Sequence, residues 1–262
     1  LDADTRLSRD AALRLIGKMA HPLNHVRWSV SEQRVVGGYA ILQPRVTPAL
    51  PLGREGSLYQ RLSAGSGGMD PYASAVSDVY QDLFGEGSYT GKGIYDVDAF
   101  ETALAGRIPE NTMLSHDLFE GVFARAGLAS DVEVVEEFPA RYDVAARRQH
   151  RWTRGDWQLL PWVLGRRYAG ATVPQVGRWK MIDNLRRSLL APTSLLTIVL
   201  CGWLPWPQSL QAMGLLMLAL ALPFFLPNIS GLVPPRSGIG LGSRLRRLAI
   251  DLRLAALQAT WT

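Results

Sequence analysis

The stretch SLLAPTSLLTIVLCGWLPWPQSLQAMGLLMLALALPFFLPNISGLVPP, residues 188–235, contains no Lys, Arg, Asp, Glu or His across its 48 positions. Within it, Leu189–Trp206 and Leu210–Leu226 are runs of 18 and 17 mostly apolar residues. Each is near the lower limit for crossing roughly 30 Å of hydrocarbon. The reading is a hairpin of two short membrane spans. The alternative is a buried helix pair of a soluble protein, for which the internal Pro192 and Pro223 speak. The uninterrupted absence of charge favours the membrane.

Outward from this run the charge is positive on both sides. Arg186 and Arg187 precede it, Arg236, Arg244, Arg246 and Arg247 follow it, and the Pro205–Ser209 connection carries none. An excess of arginine marks the cytoplasmic side, so both flanks, and the region before the hairpin, are expected to face the cytosol. The net charge of +5 first brings nucleic acid to mind, but its basic residues bracket an apolar run, which turns the reading to lipid and excludes a nucleic-acid module. The apolar fraction of 47% in 262 residues excludes a disordered tail. The single cysteine, Cys201, can form no intrachain disulfide and suits a reducing compartment.

Before the hairpin, strand and helix patterns alternate. Ser8 is placed to cap a helix with apolar positions Ala11, Ala12, Leu15, Ile16 and Met19, stopped by Pro22. Arg34–Gln43 reads as a strand that Pro44 ends, and 44–70 as a functional loop. Asp70-Pro71 starts a helix through Leu83, Asp98 caps a short helix closed by Gly106, and Asp117–Ala126 makes another closed by Gly127. Val132–Phe138 alternates as a strand, Asp143–Leu164 is a long helix carrying Arg147, Arg148, Arg151 and Arg154, and Ser243–Trp261 is amphipathic. That last segment suits either an anionic leaflet or the catalytic domain. Interleaved strands and helices followed by helices alone indicate an α/β layer joined to a membrane segment. The expected divisions are 1–180, 181–235 and 236–262. The chain opens at Leu-Asp-Ala-Asp without a signal peptide, and the expectation is a piece of a longer polypeptide.

Asp2-Ala3-Asp4 is the first pattern with chemistry in it. Residues two apart on an extended strand point to one side, so both carboxylates can reach one hard cation, Mg²⁺ or Mn²⁺. Alone, Asp-x-Asp is a weak signal, as Asp96-Val97-Asp98 demonstrates, where Asp98 serves better as a helix cap. His21 and His25 have the spacing of zinc ligands, but Pro22 interrupts them and no third ligand is near. The glycine-rich stretch 85–93 fails the spacing of a nucleotide triphosphatase phosphate loop.

What adds weight to the acidic pair is the order of later motifs. Asn111-Thr112-Met113-Leu114-Ser115-His116-Asp117 ends in an acid at a helix start, and Arg148-Gln149-His150-Arg151-Trp152 follows. This order resembles the processive membrane glycosyltransferases of the cellulose-synthase type, which carry Asp-x-Asp, an acceptor loop, Thr-Glu-Asp, Gln-x-x-Arg-Trp and then membrane helices. Longer strings, residues 17–24 (GKMAHPLN), 42–47 (LQPRVT), 77–100 (SDVYQDLFGEGSYTGKGIYDVDAF) and 151–158 (RWTRGDWQ), resemble the bacterial cyclic β-1,2-glucan synthase family. The similarity runs along nearly the whole chain.

That resemblance implies an α/β, GT-A-like (Rossmann-like) catalytic domain, incomplete at its N-terminus and followed by transmembrane helices, in the bacterial inner membrane. It implies transfer of glucose from UDP-glucose, with inversion, to the 2-hydroxyl of a growing β-1,2-glucan. An inverting transfer needs a base, and Asp117 stands at the aspartate of Thr-Glu-Asp. Ser115 and His116 replace its Thr and Glu, so the role of that Glu is not carried over to His116. Asp2 and Asp4 become the metal ligands. Arg148, which replaces the motif's Gln, joins Arg151 and Arg154 as diphosphate contacts. Gly91, Lys92, Gly93 and Tyr95 match the acceptor-lining loop, and Trp152 can stack on an acceptor sugar. The partners implied are UDP-glucose, the glucan, membrane lipid and the rest of a larger polypeptide: an upstream nucleotide-binding half and a downstream phosphorylase-like module. Rival readings are a cellulose-like or lipid-linked sugar transferase and a non-catalytic membrane protein.

Overall fold

In a computed structural model of the chain, residues 4–49, 56–63, 78–113, 116–165, 172–229 and 241–261 are described. In chain order the elements are β1 (Thr5–Leu7), α1 (Ala11–Met19), β2 (Arg27–Ser29), β3 (Arg34–Gly37), β4 (Ile41–Pro48), α2 (Leu58–Ser63), α3 (Val79–Phe84) and β5 (Ile94–Tyr95). They continue as α4 (Val97–Leu104), α5 (Asp117–Ala124), β6 (Ala126–Glu136), α6 (Tyr142–Gln158), α7 (Leu160–Val163), α8 (Gln175–Cys201), α9 (Trp206–Ile229) and α10 (Leu241–Trp261). A 3₁₀ turn, Pro22–Asn24, follows α1. The chain divides into two compact units, Leu1–Ser188 and Leu189–Thr262.

The first unit is the mixed α/β layer expected from the alternating pattern. Its main sheet has the order β1-β6-β4-β5, with β6 and β4 parallel and the two outer pairs antiparallel. A second sheet is the β2-β3 hairpin. Strand β6 is central because its residues alternate: Val132, Val134 and Glu136 share the buried side. Against the sheet pack Phe119 and Phe123, one helical turn apart on α5, with ring centroids 4.9 Å apart, and Trp162 meets Phe119 edge-on at 5.3 Å. Removing either buried phenylalanine ring from water contributes about 1.5–3 kcal/mol.

Several expected boundaries move, each for a local reason. Pro44 does not end a strand. The pattern 34–43 is two strands broken at Gly38, whose φ of 64° turns the chain, and β4 then runs through Pro44 to Pro48. The ladder accepts the proline because its register with β6 shifts between Pro44 and Arg45, where no amide is required. The cap of α1 is Asp10 and not Ser8, and the cap of α4 is Asp96 and not Asp98, its carboxylate accepting from the Ala99 amide at 3.0 Å. Helix α5 ends at Ala124, short of the expected Ala126, because Arg125 takes a left-handed φ of 54°. Its guanidinium donates to the Gly38 and Gly85 carbonyls, both at 2.8 Å, which holds that conformation. Gly127 accordingly lies in β6, which begins six residues earlier than the expected strand at Val132. The helix expected from Asp70-Pro71 lies outside the described residues as far as position 77; from there α3 is capped by Asp78.

Among the described residues of the second unit one helix is long and apolar enough to cross a bilayer, Trp206–Leu226 within α9. The other expected span, Leu189–Trp206, is not one helix: α8 stops at Cys201 and α9 starts at Trp206. The apolar part of α8, from Leu189 to Cys201, is therefore only about 20 Å long at 1.5 Å per residue. Pro192 is accommodated inside α8, where the Thr193 and Ser194 hydroxyls donate to the carbonyls of Leu189 and Leu190.

Candidate functional site

The glycine-rich segment between α3 and β5 organises the site, and every part of it is tied down. Asp78, fully buried, accepts from the amides of Tyr80 and Gln81 through one oxygen and from the Ser88 amide, 3.0 Å away, through the other. Glu86 pairs with Arg34 at 2.8 Å. The buried amine of Lys180, on α8, donates to the carbonyls of Glu86 and Gly87 at 3.1 and 2.7 Å and lies over the Tyr80 ring. Burial lowers the pKa of this amine to about 8, although Glu86 and Asp78 pull the other way. Further along, Gln43 of β4 accepts from both the amide and the hydroxyl of Thr90.

The next three residues lie close against Asp117, β4 and Glu136. Gly91 has a φ of 87°, and a Cβ there would lie 2.6 Å from the Asp117 carboxylate, so only glycine lets the chain approach that acid. Gly93 is equally crowded, against the Leu42 carbonyl at 2.5 Å. Between them, the Lys92 amine pairs with Glu136 at 2.8 Å. The other oxygen of Glu136 accepts from Arg148 at 3.0 Å, and the Arg148 guanidinium lies 4.9 Å over the Trp152 ring. Asp4 is 4.0 Å from Arg148, at the edge of ion-pair distance.

Asp117 opens α5, where its charge and the helix dipole suit each other. Glu120, one turn on, is raised above the usual carboxylate range, first by burial and then by Asp117, against a hydrogen bond that the His116 backbone amide donates to its carboxylate and that acts to lower it. The His116 ring, nine-tenths buried, meets Asp156 of α6 at 3.2 Å, and Asn184 of α8 donates to the same oxygen at 3.1 Å. Three helices thus converge next to Asp117.

Of the residues singled out from sequence, the structure brings Asp4, Lys92, Arg148 and Trp152 into one cluster, and Gly91 against Asp117. Arg151 and Arg154 lie on the exposed side of α6, and Tyr95 is half-exposed with its ring 4.7 Å from that of Phe100. Asp2 and Ser115 lie outside the described residues. Among the described residues no group of three His, Cys, Asp or Glu side chains could hold a metal ion. The fit of the acidic pair to a hard cation rests on Asp4, whose Oδ1 is buried with no hydrogen-bond partner among the described residues. An oxygen in that state suits a cation or its bound water.

Sequence reasoning missed Glu136, Asp156 and Lys180. Glu136 was legible in principle: it stands in alternation with Val132 and Val134, a charged residue on the buried side of a strand. Lys180 and Asp156 gave no such signal, because their partners are backbone carbonyls and side chains distant in sequence.

The fold and site together define a mixed α/β protein with an ion-paired cluster at the end of its two parallel strands, joined to a segment with one apolar helix of membrane-spanning length. The chain is 49% identical over 261 residues, 98% of its length, to the cyclic β-(1,2)-glucan synthase NdvB of Rhizobium meliloti (strain 1021). The resemblance to cyclic β-1,2-glucan synthase read from the sequence is thereby shown. The chain spans 9% of the length of that relative. No protein-family profile matches it.

Proposed function

We propose that this chain is the acceptor-side part of a GT-A-like glucosyltransferase domain within a larger membrane polypeptide that makes cyclic β-1,2-glucan. The donor is UDP-glucose and the reaction inverts the anomeric carbon. Asp117 takes the proton of the acceptor 2-hydroxyl as its oxygen attacks that carbon; the C1–O bond to the diphosphate breaks and UDP leaves. Arg148, with Arg151 and Arg154 on the same helix, supplies positive charge for the diphosphate, and Asp2 and Asp4 hold Mg²⁺ or Mn²⁺. When bound, such a cation offsets the charge developing on the leaving group. Gly91, Lys92, Gly93, Tyr95 and Trp152 line the acceptor path. The catalytic part faces the cytosol from the inner membrane, with α9 as a span, and the nucleotide-binding half precedes this chain.

The observation that carries this reading is the placement of Gly91 and Lys92: one residue of the turn admits the Asp117 carboxylate and the next is ion-paired through Glu136 to Arg148. This supports a base and a cationic contact at neighbouring positions of one turn, an arrangement that transfer from a diphosphate donor would use.

Asp117→Asn in the full-length polypeptide tests it. Glucan synthesis from UDP-glucose is expected to fall roughly 10²- to 10⁴-fold while membrane insertion and thermal unfolding stay as in the wild type. Unchanged synthesis contradicts the assignment of the base.

A further inference from the structure

Glu136 is the last residue of β6 and pairs in register with Pro48, the last residue of the parallel strand β4. Its carboxylate therefore stands at the carboxyl ends of the two parallel strands, the edge at which open α/β sheets bind their ligands. It is 3% exposed, and each of its oxygens faces a different cation, Lys92 from the glycine turn and Arg148 from α6. These cations come from segments 56 residues apart in sequence, and Arg148 lies over Trp152 and near Asp4. A buried cation pair with no acid between them would repel and separate. Of the acids on β6, Glu133 is half-exposed and bonded to Thr47 and Arg45, away from this cluster.

We propose that Glu136 is the positioning residue of the donor site, holding Lys92 and Arg148 together so that amine and guanidinium meet the diphosphate as one preset pair. The inference rests on the nucleotide-sugar reading above and adds Lys92 to the diphosphate contacts. Glu136 touches neither sugar; it acts through the two cations. Because the diphosphate is bound through both, loss of Glu136 weakens donor binding before it slows transfer.

The test is steady-state kinetics of the full-length polypeptide with UDP-glucose, beside inhibition by UDP, for Glu136→Gln, Lys92→Met, the double variant, and Glu133→Gln as control. Glu136→Gln is expected to raise KM and the UDP inhibition constant together by roughly tenfold or more, with kcat changed far less. In the double variant the two effects should be well short of additive. Glu133→Gln should match the wild type. A Glu136→Gln protein that loses folded yield or thermal stability but keeps the wild-type KM overturns the proposal, since Glu136 then serves only the fold. Full additivity overturns it too. If Glu136→Gln does not accumulate, Glu136→Gln with Lys92→Gln, which removes one charge of each sign, is read by the same two constants and the same criterion. A wild-type protein that makes no glucan from UDP-glucose fails the donor reading itself, a result separate from wild-type activity with an unaltered Glu136→Gln KM.

Discussion

The glycine-rich turn is anchored by a buried lysine at each end, and the two are held by different chemistry. Lys180 reaches the first half and finds two neutral carbonyls, of Glu86 and Gly87. Lys92 belongs to the second half and finds a carboxylate that it shares with Arg148. Carbonyl dipoles replace the water around an ammonium only in part, so Lys180 gives up much of its proton affinity in exchange for fixing backbone. A shared carboxylate keeps two cations charged and close, as an anion site requires. The difference separates a half that fixes the turn in place from a half that, under the proposed function, presents it to substrate.

The largest expected effect breaks or sharpens the first half. Lys180 titrates near 8 in the folded protein against 10.5 ordinarily, so between those values the unfolded chain binds more protons. Stability should therefore rise with pH across that window, by about 3 kcal/mol in total, and its cost should be present in full below pH 8. Denaturant unfolding of wild type and Lys180→Met at pH 7.5, 8.5, 9.5 and 10.5 checks this, the pH values being about those that span the window. The rise should be missing from the variant; equal slopes contradict the assignment.

Next in size is the second half. Gly91→Ala forces a side chain into a left-handed φ and against the Asp117 carboxylate. Displacing that acid should slow glucan synthesis on the order of 10²-fold, about 2.7 kcal/mol in the barrier. Gly87→Ala is the matched change in the first half, where a methyl meets nothing closer than 3.3 Å and φ is not left-handed. Its synthesis rate should stay within roughly threefold of wild type. Equal losses at both glycines would erase the contrast between the halves.

The smallest effect is at the rim. Glu133 is half-exposed, and the hydrogen bond from the Thr47 hydroxyl, with the Arg45 guanidinium 3.0 Å away, holds its carboxyl below the usual range. Glu133→Gln should cost less than about 1 kcal/mol by thermal unfolding, because water screens the pair.

Much of this arrangement was legible in the sequence, and the misses are instructive. Alternation exposed the strand around Val132–Glu136, and the charge-free run exposed α9, because both patterns report burial directly. Asp117 at a helix start and the arginine helix α6 were also readable. The strand through Pro44 was not, since the register shift that excuses the proline is a property of the pair β4-β6 and not of either strand. Asp96 and Asp98 both fit a helix cap, and the φ/ψ of the entering chain decides between them. The stop at Arg125 depends on carbonyls of Gly38 and Gly85, distant in sequence. Glu136 is the instructive miss: its parity was readable, but its two partners come from a turn and a helix that only the fold brings together.

The most direct measurement is linkage analysis of the product made by the full-length polypeptide from UDP-glucose with Mg²⁺ or Mn²⁺. The account predicts 2-linked glucosyl residues joined in a ring; 4-linked glucan, a lipid-linked sugar or no sugar transfer would contradict it.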